Sequence, residues 1–155
     1  MIADTALVKD SNIGEGTKIW DFANVYGAEI GKMSTIGAYV EIQSGVVIGN
    51  GVTVSSHSFL CSLVTIEENV FVGHGVMTVN DLFPPSRKRT GSDAEWKKTT
   101  IKEGATIGSN ATLLPVTIGK NSVVAAGAVV TQSVPDNVVV AGNPAKIIRQ
   151  IQPSR

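Results

Sequence analysis

Aliphatic side chains recur along this chain at a spacing that neither a helix nor an alternating strand produces. From Leu7 they fall at Ile13, Ile19 and Val25, then at Ile30, Ile36, Ile42, Ile48, Val54, Leu60, Ile66 and Val72. The step is six residues, with one step of five between Val25 and Ile30. After an interruption the series resumes at Ile101, Ile107 and Leu113, takes a second five-residue step to Ile118, and continues through Val124 and Val130. Glycine often follows the aliphatic, as in Ile13-Gly14 and Ile107-Gly108, and four residues beyond it stands a small or β-branched residue such as Thr17, Val40, Ser58 or Ala105. Helices repeat every 3.6 residues and strands every 2. A six-residue unit predicts a short strand and a corner, with one inward aliphatic, one small inward residue, and a turn that tolerates Gly, Asn and Asp.

No single unit of this kind buries its own apolar face, so the units must stack as a parallel β-helix. Three units make a triangular coil of eighteen residues, and the series predicts about six coils, stacked roughly 4.8 Å apart. The expected fold is an all-β, single-domain solenoid over residues 1–155, with one long loop excursion at about 78–100. The period fails again in a C-terminal cap at about 134–155, where residues 145–151 are expected to form a short helix over one raw edge. Handedness does not follow from the period; crossovers are usually right-handed.

Composition agrees with strands. The chain has 21 Val and 14 Ile against 6 Leu, and β-branched side chains favour a pleated surface over a helix. Thirteen basic and thirteen acidic residues balance, which leaves no global field to draw the protein onto nucleic acid or an anionic membrane. Cys61 is the only cysteine, so an internal disulfide is excluded. Met1-Ile2-Ala3-Asp4 does not begin a signal peptide, and the uncharged run 42–66 is interrupted too often by polar residues for a membrane span. The expected location is cytoplasmic.

The interruption between Val72 and Ile101 carries the chemistry. Residues 81–103 hold ten of the 26 charges, together with Phe83, Pro84, Pro85 and Trp96. A charged loop of this length pushed out of a solenoid is where function is expected, the alternative being a solvated excursion. Upstream lie His57, in Ser56-His57-Ser58-Phe59, and His74, seventeen residues on. That spacing puts the two imidazoles near one corner of adjacent coils, as a base pair, a substrate clamp, or side chains merely hydrogen-bonded to backbone. Two His are too few for a three-His zinc site, and no metal is expected.

The hexapeptide runs resemble those of the left-handed β-helix acyltransferases, as does the closing run Val138-Val139-Val140-Ala141-Gly142-Asn143-Pro144-Ala145-Lys146. His57-Ser58-Phe59, Asn80-Asp81 before Phe83-Pro84, and the return from Lys97 to Gly104 are similar to the 3-N-acetyltransferases of nucleotide-linked 3-amino sugars. The resemblance implies a left-handed coil, acetyl-CoA as co-substrate, and a homotrimer with sites between subunits. It implies acetyl transfer to the C3 amine of a UDP- or dTDP-linked amino sugar in surface polysaccharide (lipopolysaccharide) synthesis. Sugar O-acetyltransferases of this family typically carry Thr and a general-base His where this chain reads Val79-Asn80. A hydroxyl needs a base to take its proton. A free amine needs aim, which an Asn oxygen can supply by accepting its hydrogen bond.

The catalytic candidates are therefore Asn80 and His57, although Asn is also a common turn residue. Asp81, Arg87 and His74 are candidates for substrate binding, with Lys88 and Arg89 beside Arg87. The resemblance places the coenzyme at Gly108, Ala126 and Gly127 by backbone amides and at Lys146 and Arg149 by phosphate contact; surface solvation is the alternative for the two cations. Leu114-Pro115-Val116-Thr117 is one residue shorter than the family's usual Leu-Pro-Gly-Val-Thr. The competing functions are O-acetyl transfer with His57 or His74 as base, and a structural or binding β-helix without catalysis.

Overall fold

The computed structural model describes residues 1–82 and 93–152. Short parallel strands form three faces of a prism. The first face holds seven strands: Leu7–Lys9, Asn24–Tyr26, Glu41–Ile42, Phe59–Leu60, Met77–Thr78, Thr112–Leu113 and Val129–Val130. The second holds six, from Asn12–Ile13 through Glu29–Ile30, Val47–Ile48, Val64–Ile66 and Thr99–Ile101 to Thr117–Ile118. The third runs from Lys18–Ile19 through Thr35–Ile36, Thr53–Val54, Phe71–Val72, Thr106–Ile107 and Val123–Val124 to Val138–Gly142 and Ala145–Gln150. Seven coils replace the six expected, and no described helix is long and apolar enough to cross a membrane.

Each coil is held by the backbone of the next. The Gly14 N–H donates to Ile30 O at 2.7 Å, Gly31 to Ile48 at 2.7 Å, Gly49 to Ile66 at 2.8 Å, Glu67 to Ile101 at 2.8 Å and Lys102 to Ile118 at 3.0 Å. This column passes the excursion without a break in register, because Val64–Ile66 pairs directly with Thr99–Ile101. The aliphatics of the repeat fill the interior: Ile19, Ile36, Ile42, Leu60, Ile107, Leu113 and Ile118 are all fully buried.

The small inward position has a second task. At several corners a buried hydroxyl accepts an N–H from the next coil and donates to a carbonyl: Ser34 N to Thr17 Oγ1 at 3.0 Å with Thr17 Oγ1 to Gly31 O at 2.7 Å, and Val76 N to Ser58 Oγ at 3.2 Å with Ser58 Oγ to Gly73 O at 2.9 Å. A buried amide left unpaired there would be destabilising, and the hydroxyl removes that cost.

Three expectations are corrected. Residues 145–151 form no helix: Ala145–Gln150 pairs antiparallel with Val138–Gly142 and covers that coil edge as a strand. The pairing shifts register between Val139 and Val140, so Ile148 is an extra residue at a β-bulge. The first coil is set by Val8, which pairs with Val25, while Leu7 faces outward. The interruption is also shorter than the aliphatic series implied, since Thr78 takes the next inward position after Val72 and is buried beneath Leu113.

All irregular step lengths fall at one corner. From first face to second, the inward residues run Val8 to Ile13, Val25 to Ile30, Ile42 to Ile48, Leu60 to Ile66, Thr78 to Ile101, Leu113 to Ile118 and Val130 to Val134. The shortened Pro115-Val116 turn lies at this corner too. Every step at the other two corners is six residues.

Close coil approach sets a testable difference between glycines. A Cβ on Gly31 would lie 2.6 Å from the Gly49 carbonyl carbon, whereas one on Gly45 would meet nothing within 4 Å but carry φ of +81°. Gly31→Ala is expected to cost about 1–3 kcal/mol by overpacking against backbone, and Gly45→Ala roughly 1 kcal/mol from the left-handed conformation alone. Urea unfolding midpoints of the two variants check the order.

Candidate functional site

The irregular corner builds the site. Tyr26, Gln43, Cys61 and Val79 follow the inward residues Val25, Ile42, Leu60 and Thr78, so they stack in successive coils along it. The excursion leaves after Thr78 and is closed at its neck by backbone bonds from Lys97 N–H to Asn80 O at 2.9 Å and from Thr99 N–H to Leu63 O at 3.3 Å. A 3-10 turn, Asp93–Glu95, precedes the return strand. Between neck and corner lies an open cleft of about 270 Å3, walled by Phe59, Cys61, Thr78 and Val79 on the coil side. Gln43, Asn80, Asp81 and Trp96 complete it.

Asn80 is 9% exposed, and its amide has a defined sense. Nδ2 donates to Ser62 O at 3.2 Å, which makes Oδ1 the acceptor end of a side chain that lines the cleft. Asp81 and Trp96, both half-buried, stand beside it. Behind them Thr78 Oγ1 shares its proton between Phe59 O and Cys61 Sγ, each at 3.1 Å, and accepts the Cys61 N–H at 2.9 Å. A polar residue at an inward position is thus fully used. Burial pushes the Cys61 thiol above its ordinary range, an effect the Thr78 hydrogen bond partly offsets.

The two histidines lie elsewhere, at the corner between the third and first faces. They share it as expected but do not meet face to face. Ser56, directly below His74, takes its Nδ1 at 2.9 Å. His57 stacks on Tyr39 with ring centroids 5.0 Å apart and planes at 8°, and Tyr39 stacks on Phe22, also at 5.0 Å. Phe22, Tyr39 and His57 all have positive φ, at 61°, 59° and 63°. Glycine normally takes that conformation; here ring stacking compensates part of a strain of order 1–3 kcal/mol per residue. Neither imidazole lines the cleft that holds Asn80.

Of the coenzyme candidates, Gly108 donates its N–H to Val124 O at 2.7 Å and Gly127 donates to Ser109 O at 2.8 Å, so both amides are engaged in coil stacking. Gly108 is glycine because the Ala126 backbone passes directly over it. Ala126 is exposed, and among the described residues its N–H has no acceptor. Lys146 and Arg149 are exposed on the final strand and pair with Ala141 and Val139; the bulge between them brings both to one side of the hairpin. Beside Lys146 a cavity of about 360 Å3 opens between Pro135 and Val140. Arg87, with Lys88, Arg89, Phe83 and Pro84, lies outside the described residues. Among the described residues no group of three His, Cys, Asp or Glu side chains could hold a metal.

Sequence reasoning passed over Gln43, Cys61 and Trp96. Gln43 lies 37 residues before Asn80, and only exact coil lengths bring the two to one corner. The available signal was Thr78, a polar residue on an aliphatic beat.

Two repeat profiles match the chain: the bacterial transferase hexapeptide (six repeats) over residues 27–62, and the hexapeptide repeat of succinyl-transferase over 98–132. The bifunctional protein GlmU of Brevibacillus brevis is 37% identical over 134 residues, 85% of this chain and 26% of that protein. The chain spans between a quarter and a third of the first curated relatives it matches. The acetyltransferase domain of PglB from Neisseria gonorrhoeae, solved with acetyl coenzyme A, superposes with a TM-score of 0.63 at 24% identity, covering 95% of this chain and 56% of that one. A point mutant of AntD, an N-acyltransferase from Bacillus cereus solved with dTDP and coenzyme A, superposes with a TM-score of 0.65 at 21% identity, covering 98% and 80%.

The thiol environment yields a direct check. With its ionisation pushed upward, Cys61 is expected to react slowly with Ellman's reagent at pH 8, to speed up as pH rises beyond the usual thiol range, and to react at once in denaturant. Reaction of the native protein as fast as a free thiol at pH 8 would contradict this placement.

Proposed function

We propose that this chain is an acyltransferase of the hexapeptide-repeat, left-handed β-helix kind, as its two repeat matches support, and that it transfers the acetyl group of acetyl-CoA to an amine of a nucleotide-linked amino sugar, at carbon 3. The observation that carries this reading is the Asn80 amide in the cleft wall, whose nitrogen is committed to Ser62 O, so that its oxygen is the end able to accept from a substrate. Fold-level neighbours that bind acetyl coenzyme A, or dTDP with coenzyme A, support it. The reading requires the cytoplasm, where acetyl-CoA and nucleotide sugars meet, and serves surface polysaccharide synthesis on UDP- or dTDP-linked substrates.

In the reaction the neutral amine donates one N–H to Asn80 Oδ1, and its lone pair attacks the thioester carbonyl carbon. A C–N bond forms, and the carbonyl π electrons move to oxygen. Collapse of the tetrahedral intermediate breaks the C–S bond, the amine proton passes to the departing sulfur, and amide and free CoA result. The Ala126 N–H has no acceptor among the described residues; because Ala126 lies at the corner that carries His57 and His74, it would reach the thioester from a neighbouring copy, and one donor aimed at the oxyanion is worth about 3–4 kcal/mol in comparable sites. Lys146 and Arg149 would meet the coenzyme phosphates. Flat flanks and an open cleft favour a homotrimer in which a neighbour completes the site.

The test is thiol release from acetyl-CoA with UDP- and dTDP-linked 3-amino sugars and their 3-hydroxyl counterparts. Release with the amines alone, and a product heavier by one acetyl group, is expected. Turnover of the hydroxyl sugars would assign O-transfer, and no release with any acceptor would leave a binding scaffold. Asn80→Ala is expected to lower kcat about 10²-fold, the scale for lost aim. Full activity of that variant together with loss in His57→Ala or His74→Ala would move the chemistry to an imidazole.

A further inference from the structure

A ladder of side-chain hydrogen bonds rises through the coils beneath the cleft and ends on the Asn80 amide. Glu41 Oε1 accepts the Tyr26 O–H at 3.4 Å and Gln43 Nε2 at 3.3 Å. Gln43 Oε1 accepts the Ser62 N–H at 3.2 Å. The carbonyl of the same Ser62 accepts Asn80 Nδ2 at 3.2 Å.

The polarity of this ladder runs one way. A carboxylate only accepts and a backbone N–H only donates, so Gln43 satisfies both neighbours in a single sense of its terminal amide. That sense pins the N–H of Ser62, and Ser62 O in turn dictates which end of Asn80 turns away from the cleft. The sense matters chemically. With Oδ1 toward the substrate, Asn80 accepts from the amine and leaves its lone pair free. With the amide reversed, Nδ2 would donate into that lone pair and quench the nucleophile. Glu41, Gln43 and Ser62 are all half-buried, so solvent only partly competes for these bonds.

We infer that Gln43 is a positioning residue, which fixes the orientation of Asn80 through the Ser62 backbone and is itself fixed by Glu41. The inference rests on the N-acetyl-transfer reading of the cleft, and its test includes an arm independent of turnover. Gln43→Leu removes both links. It should lower kcat roughly tenfold while KM for the amino sugar stays within about threefold, as expected when aim is lost and binding is not. In an Asn80→Ala background the same substitution should have no further effect, because the two residues act in series. Gln43→Glu alone should also be slow, because two carboxylates then face each other without a donor. The exchanged pair Glu41→Gln with Gln43→Glu restores a donor to an acceptor, keeps an acceptor for Ser62 N–H, and should return kcat to within about threefold of the parent.

Side-chain amide exchange by NMR supplies the second arm: the Asn80 NH2 protons should exchange slowly in the parent and in the exchanged pair, and faster in Gln43→Leu. The inference is overturned if Gln43→Leu leaves kcat and Asn80 exchange unchanged, if it slows the Asn80→Ala variant by the same factor, or if the exchanged pair stays as slow as Gln43→Glu. Should the parent acetylate no amine, the function assigned above falls, while the exchange rates still decide whether Gln43 orders Asn80.

Discussion

Everything in this molecule hangs on the rung-to-rung backbone hydrogen bond. Two- and three-residue strands have almost no stability in isolation; they persist because their N–H and C=O groups pair with the coils above and below, at 2.7–3.0 Å from Gly14 through Gly31 and Gly49 to Glu67 and Lys102. The contacts are nearest-neighbour, so stability accumulates coil by coil. That demand explains residues that look unrelated. Gly31 and Gly108 are small because backbone crosses them, and Thr17, Ser34 and Ser58 are hydroxyl-bearing because an inward corner amide would otherwise be unpaired.

The same constraint positions the candidate site. The excursion opens and closes between two rungs that pair as though nothing were inserted, so its neck is anchored by rigid elements on both sides. Asn80 stands two residues beyond the last rung residue before the loop, near enough to inherit its rigidity. Thr78 shows the exchange involved: an aliphatic contact is given up for three hydrogen bonds that tie Cys61 and Phe59 to the cleft wall.

The periodic half of this architecture was legible because an inward position tolerates little except an aliphatic, and that restriction repeats. Asn80 was legible as a candidate because it stands where a base would be expected in a related chemistry. The C-terminal strand was not: residues 146–150 are all exposed, so no inward and outward alternation marks them, and only the pairing partner Val138–Gly142 resolves the ambiguity. Nor were the bulky left-handed residues Phe22, Tyr39 and His57, since φ is not encoded by hydrophobicity and their stacking spans three coils. The orientation of Asn80 escaped for a related reason. It depends on Gln43 and Ser62, whose proximity follows from summed coil lengths and not from any local motif.

The uneven corner between the first and second faces gives the fold a seam. At the other two corners every step is six residues, a fixed clock that keeps the rungs in phase. Along the seam the chain runs short, regular or very long between the same two faces, and the rungs on either side still pair. Lengthening a closed loop costs only slowly growing entropy, so chemistry can be lengthened, shortened or exchanged there without retiming the scaffold. A solenoid of this kind separates two evolutionary problems that most globular folds must solve together: where the backbone goes, and what it carries.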